Sequence, residues 1–194
     1  MVGKFFCTFM RYFFSAFVVC AVLASCGNPY GLPAAFIVNK VDTVSLYALS
    51  GTPISQPSAY LIYSGTKVRT DLTSQLDFAF DIDTAGRAEL LPTAVLKLGI
   101  GSGFQISRLD FDSVRVAPTT GYNVDSALVV TENNVVLAQS SRANALSCTI
   151  NIVYPLYAKL QVLTIDTAAR SIDVLILRDS NCGYRGLEPG LPRH

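Results

Sequence analysis

The 194-residue chain contains no tryptophan and a single histidine, and only 15% of its residues are charged. The histidine is His194, the last residue, and chain ends are poorly ordered unless something ties them down. A Ser-His-Asp or Cys-His mechanism needs an ordered histidine beside its nucleophile, and catalytic zinc sites usually take several histidines. The sequence therefore argues against these hydrolase classes, and we expect a protein that is not an enzyme.

The chain also lacks an excess of basic residues, because its formal net charge is only +1. Lys4 and Arg11 are the charged residues among the first 25, which leaves 13 basic against 14 acidic side chains in the rest. Proteins that bind nucleic acids carry a basic patch or stripe, and this sequence shows none. We expect no nucleic-acid partner.

The N-terminal apolar segment is too short for a spanning helix, which needs about 20 apolar residues. It runs from Phe13 to Leu23 and follows Lys4 and Arg11, as the apolar region of a signal peptide follows its basic start. It ends in Leu23-Ala24-Ser25-Cys26. This ending resembles the lipobox of bacterial lipoproteins: an aliphatic residue, two small residues and a cysteine.

The resemblance implies that residues 1–25 form a lipoprotein signal peptide and that Cys26 becomes the lipidated first residue, carrying fatty acids such as palmitate. Residues 26–35 would then form a short tether to the membrane, followed by a β-rich domain over residues 36–194. Residue 27 is Gly rather than the Asp that retains enteric lipoproteins in the inner membrane. We therefore expect a lipid-anchored envelope protein, in the outer membrane rather than the inner one. The alternatives are an ordinary secretory signal cut nearby and an uncleaved anchor.

Cysteine usage agrees with export. Cys7 and Cys20 would leave with the signal and Cys26 would carry lipid, so Cys148 and Cys182 remain as one even pair. A Cys148–Cys182 disulfide would close a loop of about 35 residues and stabilise the fold by about 3–4 kcal/mol. The alternative is two free buried thiols.

From Phe36 onward the chain is a succession of strand patterns, and no sustained helical period occurs after the signal. We predict an all-β fold, a single antiparallel sandwich or meander of roughly 10–13 strands behind an N-terminal signal helix. Residues 126–139 are predicted to form a hairpin around Asn133-Asn134. A second predicted hairpin joins Tyr157–Asp166 to Ser171–Arg178, and Leu109–Val116 is predicted as a further strand.

Alternation is clearest between Leu76 and Asp83. Period two predicts a half-buried strand with one polar face. The predicted buried side chains are Leu76, Phe78, Phe80 and Ile82, and the predicted solvated face holds Asp77, Ala79, Asp81 and Asp83.

The three aspartates are also the main candidates for acid-base chemistry. Alternate residues on a strand lie about 6.6–7 Å apart, which suits paired carboxylates, although a solvated face is the simpler interpretation, as it is for Asp110 and Asp112. The run from Asp81 to Gly86 also begins like a calcium loop. Position twelve of that loop is Pro92 rather than a bidentate Glu, so a turn is the preferred interpretation and no metal is predicted.

The tyrosines offer a ligand groove as an alternative to packing. The paired Tyr154 and Tyr157, and the pair Tyr122 and Tyr184, are aromatic side chains that line grooves in many proteins. Packing in the core or at its rim is the preferred interpretation.

The chain also resembles the HmuY-type haem-binding lipoproteins, at Asp77–Asp81 and at Tyr157-Ala158-Lys159-Leu160-Gln161-Val162. That family has an all-β body behind a lipobox and binds haem through His or Met pairs. Leu76 stands where the family has Trp, and the chain after Cys26 has no Met and only His194. The resemblance therefore implies the fold without the haem, and we predict no cofactor. The tail Asn181–Leu187 resembles uncharacterised exported lipoproteins, which implies no activity.

The sequence thus predicts a non-enzymatic binding or structural module, held on the membrane through lipid on Cys26. Its partner would be an envelope protein or a glycan. The alternative is an envelope carbohydrate-active hydrolase that uses the Asp77, Asp81 and Asp83 face.

Overall fold

The computed structural model describes Leu32, residues 34–141 and residues 154–192. Several predictions concern residues outside this range, namely the signal peptide, the lipobox with Cys26, Cys148 and His194. Most of the tether also lies outside the described residues. Those predictions stand as made.

The described residues form two antiparallel five-stranded sheets that pack together, which confirms the predicted all-β sandwich. The first sheet has the strand order β1-β10-β9-β8-β6, and the second has the order β3-β2-β4-β5-β7. The strands are β1 (Val41–Tyr47), β2 (Ala59–Leu61), β3 (Thr66–Val68), β4 (Phe78–Ile82), β5 (Ala88–Pro92), β6 (Ser102–Ser107), β7 (Leu128–Val130), β8 (Val135–Ser140), β9 (Leu156–Asp166) and β10 (Ser171–Asp179).

The core between the sheets follows from the period-two pattern of their strands. Alternate residues of β9 and β10 point into it, and Phe78, Phe80 and Ile82 of β4 meet them from the second sheet. Phe78 packs against Tyr60 and against Phe104, each at 5.6 Å between ring centroids. The inward residues from β9 and β10 are Ala158, Leu160, Val162, Ile172, Val174 and Ile176.

The outer face of the first sheet is covered by chain segments. A loop containing a short 3-10 helix, η1 (Phe111–Ser113), lies over it together with the C-terminal tail. The prediction of a strand over Leu109–Val116 was wrong, because the apolar residues there recur every three positions. These residues, Phe111, Val114 and Ala117, form a second apolar cluster with Val135, Leu137, Tyr157, Leu177 and Leu187.

The outer face of the second sheet is also covered. The prediction that Asp77 and Ala79 lie on a solvated face of β4 was therefore wrong. Asp77 is 1% exposed and Ala79 is fully buried. Leu76 packs with Ala79 in a third apolar cluster and lies outside the inter-sheet core that holds Phe78. The predicted alternation therefore holds from Phe78 onward and fails before it. Leu76 packs on the side of Ala79, and Asp77 bonds with Ser140 of the first sheet.

The two predicted hairpins had different outcomes. The β9–β10 hairpin is confirmed, with Asp166 opposite Ser171 and a bulge between Asp173 and Val174. The hairpin over residues 126–139 is wrong, because β7 pairs with β5 in the second sheet whereas β8 pairs with β6 and β9 in the first. Asn133 does adopt a left-handed conformation, with φ of 68°, so the turn itself forms and carries the chain from one sheet to the other.

Candidate functional site

Asp77 joins the two sheets instead of facing solvent. Its Oδ2 accepts a hydrogen bond from the backbone amide of Ile62 at 2.6 Å, and its Oδ1 accepts one from the hydroxyl of Ser140 at the end of β8. A buried carboxylate is stable only when it is hydrogen-bonded or paired. Asp77 therefore links the two sheets through buried hydrogen bonds.

Asp81 and Asp83 have other partners. Asp81 accepts hydrogen bonds from the amide and hydroxyl of Ser50, at 3.1 and 2.7 Å, and lies 3.6 Å from the guanidinium of Arg170. Asp83 caps the β4–β5 turn through the amides of Arg87 and Ala85 and forms a 2.7 Å ion pair with the side chain of Arg87. The Arg87 amide and then its guanidinium lower the pKa of Asp83.

The three carboxylates therefore have separate sets of partners and serve the strand and its turn. The Asp81–Gly86 run forms the predicted turn, with Gly86 at a φ of 79°. The described part of the chain holds no group of three or more His, Cys, Asp or Glu side chains that could bind a metal ion. Asp110 and Asp112 are exposed, as predicted.

The tyrosines divide between packing and a cleft. Tyr157 is buried in the second apolar cluster, with the ring of half-buried Tyr122 at 6.2 Å, and Tyr154 packs against the inter-sheet core. Burial raises the pKa of the Tyr122 hydroxyl well above its ordinary value. Tyr184 differs from these three because it lines a cleft.

That cleft, of about 440 Å³, is the most promising candidate site. It forms where the extended segment before β1 meets the end of β10 and the C-terminal tail. We call it the tail cleft. Its lining includes Ala35, Asp179, Asn181, Tyr184, Glu188 and Leu191.

Asp179, the last residue of β10, is the most unusual group of the tail cleft. It is buried, and its Oδ1 accepts hydrogen bonds from the backbone amide of Asn181 at 2.9 Å and from the Asn181 side chain at 2.7 Å. Burial raises the pKa of this carboxyl, and hydrogen bonds from Asn181 and Asn39 oppose the rise. Buried carboxyl groups with perturbed pKa values in clefts are characteristic of functional sites.

Asn181 connects the tail cleft to the segment before β1. Its Oδ1 accepts hydrogen bonds from the amides of Phe36 and Ile37, both at 2.9 Å, and its Nδ2 donates to the Ile37 carbonyl at 2.8 Å as well as to Asp179. Asn39 adds a second attachment, since its Nδ2 donates to the Gly186 carbonyl at 2.7 Å and its amide to the Leu191 carbonyl at 2.7 Å.

Sequence reasoning missed Asp179, Asn181 and Glu188 as site residues. The sequence after Asn181 has no strand or helical pattern, and the described tail is irregular, but this gives no indication that it packs back on the sheet. The available signal was the polar run Asp179-Ser180-Asn181 directly after an apolar strand. Three polar residues in this position indicate that the backbone beyond the strand needs hydrogen-bonding partners.

Lys159 is a buried cation outside the tail cleft. It belongs to the strand that resembles the haem-binding lipoproteins, and it is 1% exposed. Its Nζ donates to the carbonyls of Phe111 at 2.6 Å and Val114 at 2.9 Å and lies 4.4 Å from the centroid of the Phe111 ring. Burial lowers the pKa of Lys159, while Asp112 and Glu188 act against this. The ammonium thus holds the η1 loop on the first sheet.

Cys182 is buried at the base of the tail and is not a free thiol. Cys148 and Cys26 lie outside the described residues, so the Cys148–Cys182 bridge and the lipidation of Cys26 stay predictions.

No protein-family model matches the chain, and no curated protein is significantly similar to it. Among the described residues, none of the helical structure is long and apolar enough to span a membrane. The function is therefore argued from the residues themselves.

Proposed function

We propose that this protein is a lipid-anchored envelope lipoprotein whose β-sandwich is a non-enzymatic binding module. The observation that carries the proposal is the lipobox Leu23–Cys26 at the end of a signal-like apolar segment, only ten residues before the β-rich domain begins. A tether this short would hold the domain close to the membrane that carries the lipid anchor. We propose that this is the outer membrane rather than the inner one.

The tail cleft is our candidate for the binding site. Its size falls within the range of about 300–1,000 Å³ that is usual for small-molecule sites. Asp179 and Glu188 contribute carboxyl groups, Tyr184 a phenol ring and Leu191 apolar surface. The Asn181 amide is already bonded to the chain and shapes the wall. Carboxylates bind hydroxyl groups, and an aromatic ring covers the apolar face of a sugar. A glycan of the envelope therefore suits this lining.

The alternative is an envelope carbohydrate-active hydrolase that uses Asp77, Asp81 and Asp83. A common cleft containing these three carboxylates would favour it. Asp77 is instead buried against Ile62 and Ser140, whereas Asp83 caps a turn, and the lining of the tail cleft contains none of the three. We therefore prefer the binding module.

The anchor is tested by growing cells with a labelled fatty acid. The wild-type protein should take up the label, whereas Cys26→Ser should not and should be released or mislocalised. Label on the Cys26→Ser variant, or an unlabelled wild type, would refute the lipoprotein assignment.

The tail cleft is tested by titrating the folded protein with soluble fragments of envelope glycans and measuring binding calorimetrically. Tyr184→Ala and Asp179→Asn should weaken saturable binding, and Asp125→Asn, which changes an exposed carboxylate outside the cleft lining, should not. Equal binding by all three variants would place the ligand elsewhere, and release of reducing sugar by the wild type would favour the hydrolase.

A further inference from the structure

The segment just before β1 has one apolar face that the protein leaves uncovered. Between Ala34 and Lys40 the even-numbered residues are exposed, whereas Asn39 is buried and the other odd-numbered residues are partly buried. Phe36 is 69% exposed and Val38 is 45% exposed. Period-two alternation is usual for an extended chain on a surface, but here the apolar side chains point outward.

This outward face belongs to a well-attached segment. The Asn181 side chain makes three hydrogen bonds to the backbone of Phe36 and Ile37, and Asn39 is bonded to the tail on both its backbone and its side chain. The exposure of Phe36 and Val38 is thus set by the fold. Phe36 and Val38 are alternate residues of one extended segment, so they form a continuous apolar face rather than two scattered residues, and such faces mark contact surfaces.

The distance along the chain to Cys26 limits what that cover can be. Leu32 follows Cys26 by six residues and Phe36 follows it by ten. Because an extended chain spans at most about 3.3–3.6 Å per residue, the reach is roughly 20 Å to Leu32 and roughly 35 Å to Phe36. A lipid on Cys26 would therefore keep the Phe36–Val38 face within reach of the bilayer surface. Aromatic and aliphatic side chains are stable at the depth of the lipid headgroups.

Charge contributes little to this contact. Lys40 is exposed on the same side and suits anionic headgroups, but Asp42 is exposed two residues later. The two opposite charges nearly cancel, so contact with lipid would depend on apolar insertion and respond weakly to salt.

We propose that Phe36 and Val38 form a membrane-contact face that inserts into the bilayer surface beside the lipid anchor. This inference rests on the proposed lipidation of Cys26 and adds an orientation to it. The face fixes one end of the sandwich against the membrane, so the tail cleft, whose lining includes Ala35 of the same segment, opens near the lipid headgroups.

The absence of tryptophan from the chain makes a direct test possible. Phe36→Trp places a single fluorophore on the face. Ile54→Trp is the matched control, because Ile54 is equally exposed, at 71%, but follows the other end of β1. Both full-length proteins are purified in their acylated form and reconstituted in vesicles of ordinary or brominated phosphatidylcholine.

We expect the emission of the Phe36→Trp protein to shift to shorter wavelength in vesicles and to lose most of its intensity with brominated lipid. The Ile54→Trp protein should keep both its emission wavelength and its intensity. Equal quenching of the two proteins, or no quenching of an acylated Phe36→Trp protein, would overturn the membrane-contact face and leave the lipoprotein proposal intact. Absence of acyl groups on Cys26, measured by mass spectrometry of the same samples, would overturn both.

Discussion

Replacing Asn181 by alanine should detach the segment before β1 from the sandwich. The change removes the acceptor of two backbone amides, Phe36 and Ile37, and the donor to the Ile37 carbonyl and to Asp179. A typical hydrogen bond contributes about 0.5–1.5 kcal/mol net to stability, so the three bonds to the segment are worth about 2–4 kcal/mol. For a domain of this size that corresponds to a fall in Tm of about 5–15 °C.

Thermal unfolding and hydrogen exchange test this prediction together. The Asn181→Ala variant should melt at lower temperature, and the amides of Phe36 and Ile37 should exchange much faster, while the β9–β10 hairpin keeps its protection. Asn123→Ala is the control, because Asn123 is an asparagine whose side chain closes only its own turn, through the amides of Asp125 and Ser126. An Asn181→Ala protein with wild-type Tm and unchanged exchange at Phe36 would refute the attachment.

Asn181→Asp separates the acceptor role of the Asn181 Oδ1 atom from the donor role of its Nδ2 atom. It keeps the acceptor for the amides but removes the donor and sets a second carboxylate beside Asp179. Burial already raises the pKa of Asp179, and the new like charge would raise it further. Because the folded protein then binds protons more tightly than the unfolded chain, the variant should lose stability as the pH rises through the raised pKa. A pH-independent loss relative to wild type would contradict this reasoning.

Three further predictions concern other parts of the molecule. Lys159→Met should destabilise the protein by about 1–3 kcal/mol in urea unfolding at pH 7, because two buried carbonyls lose their donor. Burial lowers the pKa of Lys159 below its ordinary 10.5, so the wild type should gain stability from this group as the pH rises toward that value. The Lys159→Met variant should lack this gain, and parallel pH profiles of stability for the two proteins would refute the prediction. Cys148→Ala should cost about 2–5 kcal/mol and lower Tm if Cys148 bridges Cys182, and two reactive thiols besides Cys26 in the denatured, unreduced protein would exclude that bridge. Haem added to the purified protein should give no ligation-induced Soret shift, whereas a saturable one-to-one spectrum would point to tyrosine ligation.

The sequence predicted the strands of the sandwich better than their partners. The β9–β10 hairpin was predictable because a short turn joins two long alternating strands. The turn at Asn133 was predictable too, but the pairing of β7 with β5 depends on packing between strands that are distant in the sequence. Local turn chemistry cannot distinguish a hairpin from a crossing between two sheets.

Burial was harder to predict where a third layer covers a sheet. Ala79 lies on the side of β4 opposite Phe78, as the alternation predicts, but its burial depends on chain segments packed over that side. Asp77 precedes β4 and bonds with Ser140 of the first sheet, which the alternation does not predict. The tail cleft was missed for a related reason. Asp179, Asn181 and Glu188 lie within ten residues of one another, but their chemistry depends on a segment some 145 residues earlier in the chain.

The pairing of β1 with β10 has a consequence for how the protein is made. The first strand of the described chain lies beside the last, with Val41 opposite Leu177. The strand β1 therefore has no partner in the first sheet until β10, which ends at Asp179, has been synthesised. Contacts this distant in sequence form slowly, because a long loop must close first. A chain exported in the unfolded state benefits from such an order. If this protein is exported unfolded, as the proposed lipoprotein would be, its earliest strand has no native partner before the last strand has been made, and this order of synthesis would favour translocation.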